Sequence, residues 1–193
     1  MTPSYGLNFL KLFTVAGLVL CGLSSNAQSI NQNWRQELNS SLQKFLACTS
    51  SKEKPCINFT GESLNTVYKV NDFYSQTSKR YMTTAEIANF LKGSDKWESL
   101  GQSYDQKTLN AAQEMANAKK AVVAVYQNAS GVGHVVLITP GELKPSGSWG
   151  LSVPSAASFF PTEPEKSFVD KGLSFAFMKP MLKDVHIYAR KYN

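Results

Sequence analysis

The sequence contains few of the residues on which most metal and cofactor sites depend. It has three cysteines and two histidines in 193 residues. A metal site needs several His, Cys, Asp or Glu side chains that converge, and two well-separated histidines do not supply them. Neither a phosphate-binding loop nor a dinucleotide fingerprint is visible. We therefore expect no metal and no cofactor.

The sequence also lacks a dense run of Lys and Arg interleaved with aromatic residues, although its formal net charge is +6. Without such a run, nucleic acid is not an expected partner. A basic exported protein would be attracted to anionic surfaces such as cell-wall polymers, but basic residues also serve simply to keep a protein soluble. The charge alone leaves both interpretations open.

No apolar stretch is long enough to span a bilayer comfortably. The longest, residues 12–23, follows Lys11 and has the length of a signal-peptide core, and Ser25-Asn26-Ala27 supplies the small-x-small pattern for cleavage. Cys21 allows a lipoprotein alternative, which is disfavoured because Leu20 stands where a small residue is expected. The sequence predicts a cleaved signal peptide over residues 1–27. It also predicts one periplasmic or secreted domain over residues 28–193, with no stable membrane insertion.

Apolar periodicity predicts helices first and strands afterwards. Helices are expected over residues 30–47, in a run that follows Cys56, from a Thr83–Glu86 capping box to Gly93, and over residues 105–120 with Asp105 as the cap. Strands are expected over residues 121–126, 134–139, 148–153, 173–177 and 185–190, with a turn-rich segment over residues 155–171. This order indicates an α+β domain, with N-terminal helices packed on a C-terminal antiparallel sheet.

Two cysteines remain after the predicted cleavage, Cys48 and Cys56, and two fates compete for the second. Export makes a Cys48–Cys56 disulfide chemically reasonable. Cys56 also follows a proline and precedes an amphipathic run, so a thiol there would feel the positive end of a helix dipole. His134 stands at the mouth of an apolar strand and could take the thiol proton. His186, on the last predicted strand, is interpreted as structural.

Several short motifs, in this order, resemble the NlpC/P60 group of papain-like cysteine peptidases and amidases. They are Cys56, Phe59, Gly61, Glu62 and Leu64; Ala116-Asn117; Gly133-His134-Val135; Pro140-Gly141; Trp149-Gly150; and Ser174 to Phe177. The commonest family signature, Asp-Cys-Ser-Gly, is absent. The resemblance implies a papain-like fold whose catalytic core covers residues 56–193, preceded by a helix and loop over residues 28–55. It further implies Cys56 as nucleophile and His134 as base.

Members of that group carry a third catalytic residue, a polar one, on the strand after the histidine. The candidates here are Ser148 and Ser152. We favour Ser152, because a long hairpin would leave His134 opposite the far end of the second strand.

The predicted function is that of an exported cysteine amidase or endopeptidase acting on peptidoglycan stem peptides. Transfer of the acyl group to an acceptor other than water would use the same acyl-enzyme. The alternative is a non-catalytic exported protein that binds the wall or a partner and carries a Cys48–Cys56 disulfide.

Overall fold

The computed structural model describes residue 1 and residues 29–51, 56, 58–128 and 133–192. The predicted signal peptide, its cleavage site and Cys21 lie outside the described residues, as does the segment 52–55 before Cys56.

Among the described residues there are four α-helices. They are α1 (Trp34–Ser51), α2 (Phe59–Tyr68), α3 (Thr84–Gly93) and α4 (Gln106–Asn117). Helices α3 and α4 begin where their caps predict, whereas α1 begins and ends later than the predicted 30–47. The predicted capping box is confirmed, since the Glu86 N–H donates to Thr83 Oγ1 while the Thr83 N–H donates to the Glu86 carboxylate. The Asp105 cap is also confirmed, accepting from the Lys107 N–H at 2.9 Å. Across the described ranges, none of the helices has the length and apolarity needed to cross a membrane.

In the part of the chain that the structure describes, ten strands form one large antiparallel sheet and two small ribbons. They are β1 (Tyr74–Ser75), β2 (Arg80–Tyr81), β3 (Trp97–Gln102), β4 (Val122–Gln127), β5 (Gly133–Ile138), β6 (Lys144–Ser146), β7 (Leu151–Val153), β8 (Ser155–Ser158), β9 (Phe168–Gly172) and β10 (Val185–Arg190). The large sheet has the order β3-β10-β4-β5-β8-β9, while β1-β2 and β6-β7 pair separately. The α+β class with an antiparallel sheet is thus confirmed.

The centre of the sheet is built from β4 and β5, which pair from Val122 opposite Ile138 to Gln127 opposite Gly133. Most of their residues are apolar and buried, as expected for strands covered by other elements. Helices α2 and α3 contact β5, and α1 packs against α2 and β9. The hydroxyl of the fully buried Tyr68, on α2, donates to the Ile138 carbonyl at 2.8 Å. The helical layer is therefore bonded to the sheet as well as packed on it.

The strand predictions were incomplete, and one was wrong. Residues 173–177 do not form a strand, because Leu173–Phe175 is a 3₁₀ turn. The segment predicted to be turn-rich contains β8 and β9, and β1, β2, β3 and β6 were not predicted, so strands also lie between the helices. The residues of β8 are Ser, Ala, Ala and Ser, which have no strand pattern of their own, yet all four are buried between β5 and β9. Tertiary pairing, not local propensity, forms this strand.

A carboxylate ties the turn after α2 to one end of the large sheet. Asp72 accepts from the Trp97 indole N–H at 3.0 Å and from Arg190 Nε at 2.7 Å. Its side chain is only 11% exposed and that of Arg190 23%. Each partner would lose its acceptor if the carboxylate were removed, which is costly for groups shielded from water.

Replacement of Asp72 by Ala is expected to lower the free energy of unfolding by about 2 kcal/mol or more, because it leaves the Arg190 charge and the Trp97 N–H without an acceptor. Urea unfolding monitored by circular dichroism would measure the loss. The control is Lys166→Ala, which breaks an exposed ion pair with Glu163 and is expected to cost less than about 1 kcal/mol. Equal losses in the two variants would show that Asp72 has no such role.

Candidate functional site

Cys56 is bonded to Cys48 in this structure. The disulfide joins α1 to the segment just before α2, across eight positions of sequence and 6.1 Å between the two Cα atoms. That separation lies within the usual range for disulfides. Of the two fates that the sequence left open for Cys56, the structure therefore shows the disulfide. In this form the sulfur is not a nucleophile.

Aromatic packing fixes the start of α2 beside Cys56. The Phe59 ring lies 5.2 Å from that of Phe45, on α1, and 5.9 Å from that of Phe159, which follows β8. Gly61 allows close approach at the next turn, since a Cβ there would lie 2.8 Å from Tyr81 Cδ1. The first turn of α2 is thus held by packing, although its N-cap residue, Asn58, makes no side-chain capping bond.

His134, the second residue of β5, sits in an aromatic environment. Its ring stacks on Phe160 at 4.2 Å between centroids and meets Phe177 edge-on at 5.8 Å. Desolvation by these neighbours lowers the pKa of His134 to about 4, so the imidazole is neutral at pH 7. Its Nε2 lies 2.6 Å from Ser158 Oγ. Nδ1 makes no hydrogen bond to any residue that the structure describes.

The register of β8 brings Ser158 to the histidine. Leu137 lies opposite Ala157 and Ile138 opposite Ala156, so continuing the register puts Val136 opposite Ser158. Ser158 is therefore a diagonal neighbour of His134, two positions away on the same face of the paired strands. No local signal in the sequence pointed to this serine, because β8 itself was not predicted.

Ser152 does not contact His134, which corrects our expectation about the orienting residue. The expectation assumed that the next strand in the chain pairs with β5, whereas β6 and β7 form their own ribbon and β8 is the neighbour of β5. Ser152 lies in β7, is exposed, and has both backbone groups bonded to Gln106. Ser148 is closer to the site, because it lines the same cleft as His134.

The predicted base, His134, and the predicted nucleophile, Cys56, line two different cavities. The larger, of about 750 Å³, contains His134, and the smaller, of about 180 Å³, contains Cys56. Thr84 and Pro161 border both. Cys56 and His134 thus line two cavities that have Thr84 and Pro161 in common.

The larger cleft has an apolar side and a charged rim. Aromatic and methionine side chains dominate its wall: Tyr126, Phe160, Phe175, Phe177, Met178 and Met181. Phe175 and Met178 are 65% and 71% exposed at its mouth. Glu163 is ion-paired with Lys166, and Lys179 adds a further positive charge. The cleft is open enough to take a peptide-sized ligand.

His186 lies elsewhere, in β10, where it lines a cavity of about 130 Å³ with Asp184 and Tyr188. Among the described residues, no three His, Cys, Asp or Glu side chains are grouped so as to hold a metal ion.

The chain matches no known family model, and no curated protein is similar enough to it to be called a relative.

Removal of the ring that stacks on His134 should raise the pKa of the imidazole. In Phe160→Ala, one face of the ring becomes more accessible to water and the penalty for charging it falls, so the pKa is expected to rise from about 4 toward the ordinary value near 6.5, by about one unit or more. Titration of the His134 ring by NMR measures this shift. Phe175→Ala, which removes an exposed ring from the same cleft, is expected to leave the pKa where it is. An unchanged value in Phe160→Ala would mean that Phe160 does not desolvate the ring.

Proposed function

We propose that the protein is an exported cysteine amidase or endopeptidase of papain-like, NlpC/P60 type that hydrolyses amide bonds in peptidoglycan stem peptides. The observation that carries the proposal is the state of His134, a neutral imidazole with Nε2 held by Ser158 and Nδ1 without a hydrogen bond among the described residues, in a cleft beside the Cys56 cavity. The order of the motifs, with Cys56 before a helix and His134 at the start of a strand, supports the same assignment.

In the proposed enzyme, the Cys48–Cys56 form is the resting state and reduction precedes catalysis. A thiol reductant would attack the disulfide, release Cys56 as a thiol and leave Cys48 reduced once the reductant itself has been oxidised. The free sulfur could then turn toward Thr84 and Pro161, which line both cavities. The disulfide would in this way control when the nucleophile is available.

The hydrolysis would proceed through an acyl-enzyme. Nδ1 of His134 accepts the proton of the Cys56 thiol as the sulfur attacks the amide carbonyl, and the same nitrogen gives the proton to the departing amine. Water then attacks the thioester and yields the carboxylic acid and the free thiol. Backbone N–H groups of the first turn of α2 would stabilise the oxyanion.

Ser158 would fill the role of the third residue. For Nδ1 to accept a proton, the neutral imidazole must carry its hydrogen on Nε2, which then donates to Ser158 Oγ over the observed 2.6 Å. A serine oxygen can hold the ring in this tautomer without carrying charge. This assignment replaces Ser152 in the proposed constellation.

A second candidate function is supported by the disulfide itself. A closed Cys48–Cys56 bond fits an exported protein that binds the wall or a partner and uses the bond only to join α1 to the start of α2. In this case the cleft beside His134 would bind a ligand without cleaving it.

Digestion of purified peptidoglycan separates the two functions. Reduced wild-type protein is expected to release stem peptides or cleave cross-links, and Cys56→Ala to lose at least about 10³-fold of that activity because no nucleophile remains. Cys48→Ala frees the Cys56 thiol permanently and should be active without reductant. Release can be followed by chromatography and mass spectrometry. If neither reduced wild type nor Cys48→Ala exceeds Cys56→Ala, the enzyme proposal fails, and retention of the protein on peptidoglycan would then favour a binding function.

The two serines can be compared directly. Ser158→Ala is expected to lower kcat about 10- to 100-fold, because the imidazole loses the acceptor that fixes its tautomer. Ser152→Ala removes an exposed hydroxyl of the β6-β7 ribbon and is expected to change kcat less than about 3-fold. Steady-state rates on a soluble stem peptide measure both. The reverse ranking would restore Ser152 as the third residue.

A further inference from the structure

Helix α4 presents three amide side chains to the backbone of the strands and loops that follow β5. Gln106 bonds both backbone groups of Ser152, and Asn117 bonds both backbone groups of Gly141. Gln113 differs from these two, because it is only 3% exposed and it bridges Thr139, the residue after β5, and Ser155, the first residue of β8.

The Gln113 amide is inserted into the hydrogen-bond ladder between β5 and β8. At the end of that pair, the Thr139 N–H donates to the Ser155 carbonyl at 2.9 Å, but the return bond is replaced. The Ser155 N–H donates instead to Gln113 Oε1 at 2.8 Å, and Gln113 Nε2 donates to the Thr139 carbonyl at 3.1 Å. In a regular antiparallel pair, two opposed residues exchange both bonds directly. Gln113 therefore acts as a spacer of fixed size between the two strands.

The first residue of β8 is well held, because Ser155 pairs with Gly172 of β9 and its hydroxyl donates to the Glu142 carbonyl at 2.9 Å. The end that carries Ser158 is less regular, since two residue pairs join β8 to β5 and the register with β9 shifts between Ala156 and Ser158. Thr139 and Ser155 are fully buried, so their backbone groups would need new partners if the amide were absent. The available solution is a direct bond between them, which would draw β8 toward β5 at the end where the spacer now stands.

The position of β8 decides where the Ser158 hydroxyl lies. Ser158 follows Ser155 by three residues on the same short strand, and its Oγ reaches His134 Nε2 over 2.6 Å. Hydrogen bonds weaken steeply with small changes in distance and angle, and a slip of one residue would turn Ser158 to the other face of the sheet. We infer that Gln113 is a positioning residue that sets the Ser158–His134 hydrogen bond through the backbone of β8.

The inference is tested first on the histidine itself, without any assumption about activity. In the wild type, nitrogen chemical shifts of His134 at pH 7 should report a single tautomer with the hydrogen on Nε2. Gln113→Leu keeps the volume and removes the bonds to Thr139 and Ser155, together with the helical bond to Asn117 at 3.2 Å. In this variant the shifts should move toward a mixture of tautomers. Gln106→Ala is the matched control, since it also breaks a two-bond contact with the backbone but in the β6-β7 ribbon, and should leave the shifts unchanged. Unaltered His134 shifts in folded Gln113→Leu would overturn the inference.

A second arm uses catalysis and rests on the proposed function. Gln113→Leu is expected to lower kcat about 10-fold with little change in KM. In a Ser158→Ala background the same substitution should change kcat less than about 2-fold, because both substitutions act through the Ser158–His134 hydrogen bond. Equal losses in the two backgrounds would show that Gln113 acts by another route and would overturn the inference. If Gln113→Leu does not fold, Gln113→Glu, which keeps the acceptor for the Ser155 N–H, takes its place in both arms. Absence of hydrolysis by reduced wild type would count against the proposed function alone, because the NMR arm decides the inference independently.

Discussion

The pairing of β5 with the strands on either side of it is the constraint on which the rest of the structure depends. Its apolar residues are buried under α2 and α3. The carbonyl of Ile138, its last residue, accepts a bond from Tyr68, and that of Thr139, the next residue, accepts one from Gln113 on a different helix. Because this strand is held at one end by those contacts, its other end, with His134, has a defined position relative to β8. The geometry of the candidate site therefore depends on the contacts that hold β5 in place.

The site contains a neutral imidazole, which can accept a proton, and a sulfur that is held in a disulfide. Burial among aromatic neighbours lowers the pKa of His134 to about 4, so the imidazole is neutral near pH 7. Cys56, in contrast, changes chemical character with the redox state of its bond to Cys48. In the proposed enzyme the controlling variable is therefore the supply of reductant, and acidity has little influence until the imidazole begins to charge.

Much of the fold follows from local sequence, and the parts that do not are those fixed by pairing. The helix starts at Thr83 and Asp105 were predictable because each cap lies within three residues of the N–H that it accepts from. The centre of the sheet was predictable because its two strands are continuously apolar. The position of Ser158 was not predictable, since β8 has no apolar pattern in the sequence. In addition, β6 and β7 pair with each other, so that β8 is the strand that lies beside β5. The cysteine spacing likewise could not distinguish a free thiol from a disulfide at Cys56, because the distance between the two cysteines depends on where α1 ends.

The choice of serine as the partner of His134 has a consequence for the proposed chemistry. A carboxylate beside the ring would stabilise the imidazolium, whereas a neutral hydroxyl holds the tautomer and adds no charge. With the disulfide closed, burial lowers the pKa of the imidazole, and the same desolvation would disfavour the charged imidazolium of a resting thiolate–imidazolium pair. The reduced enzyme would therefore rest as a neutral thiol beside a neutral imidazole, and the proton would leave Cys56 only as the sulfur attacks. Proton transfer and carbon–sulfur bond formation would then belong to the same step.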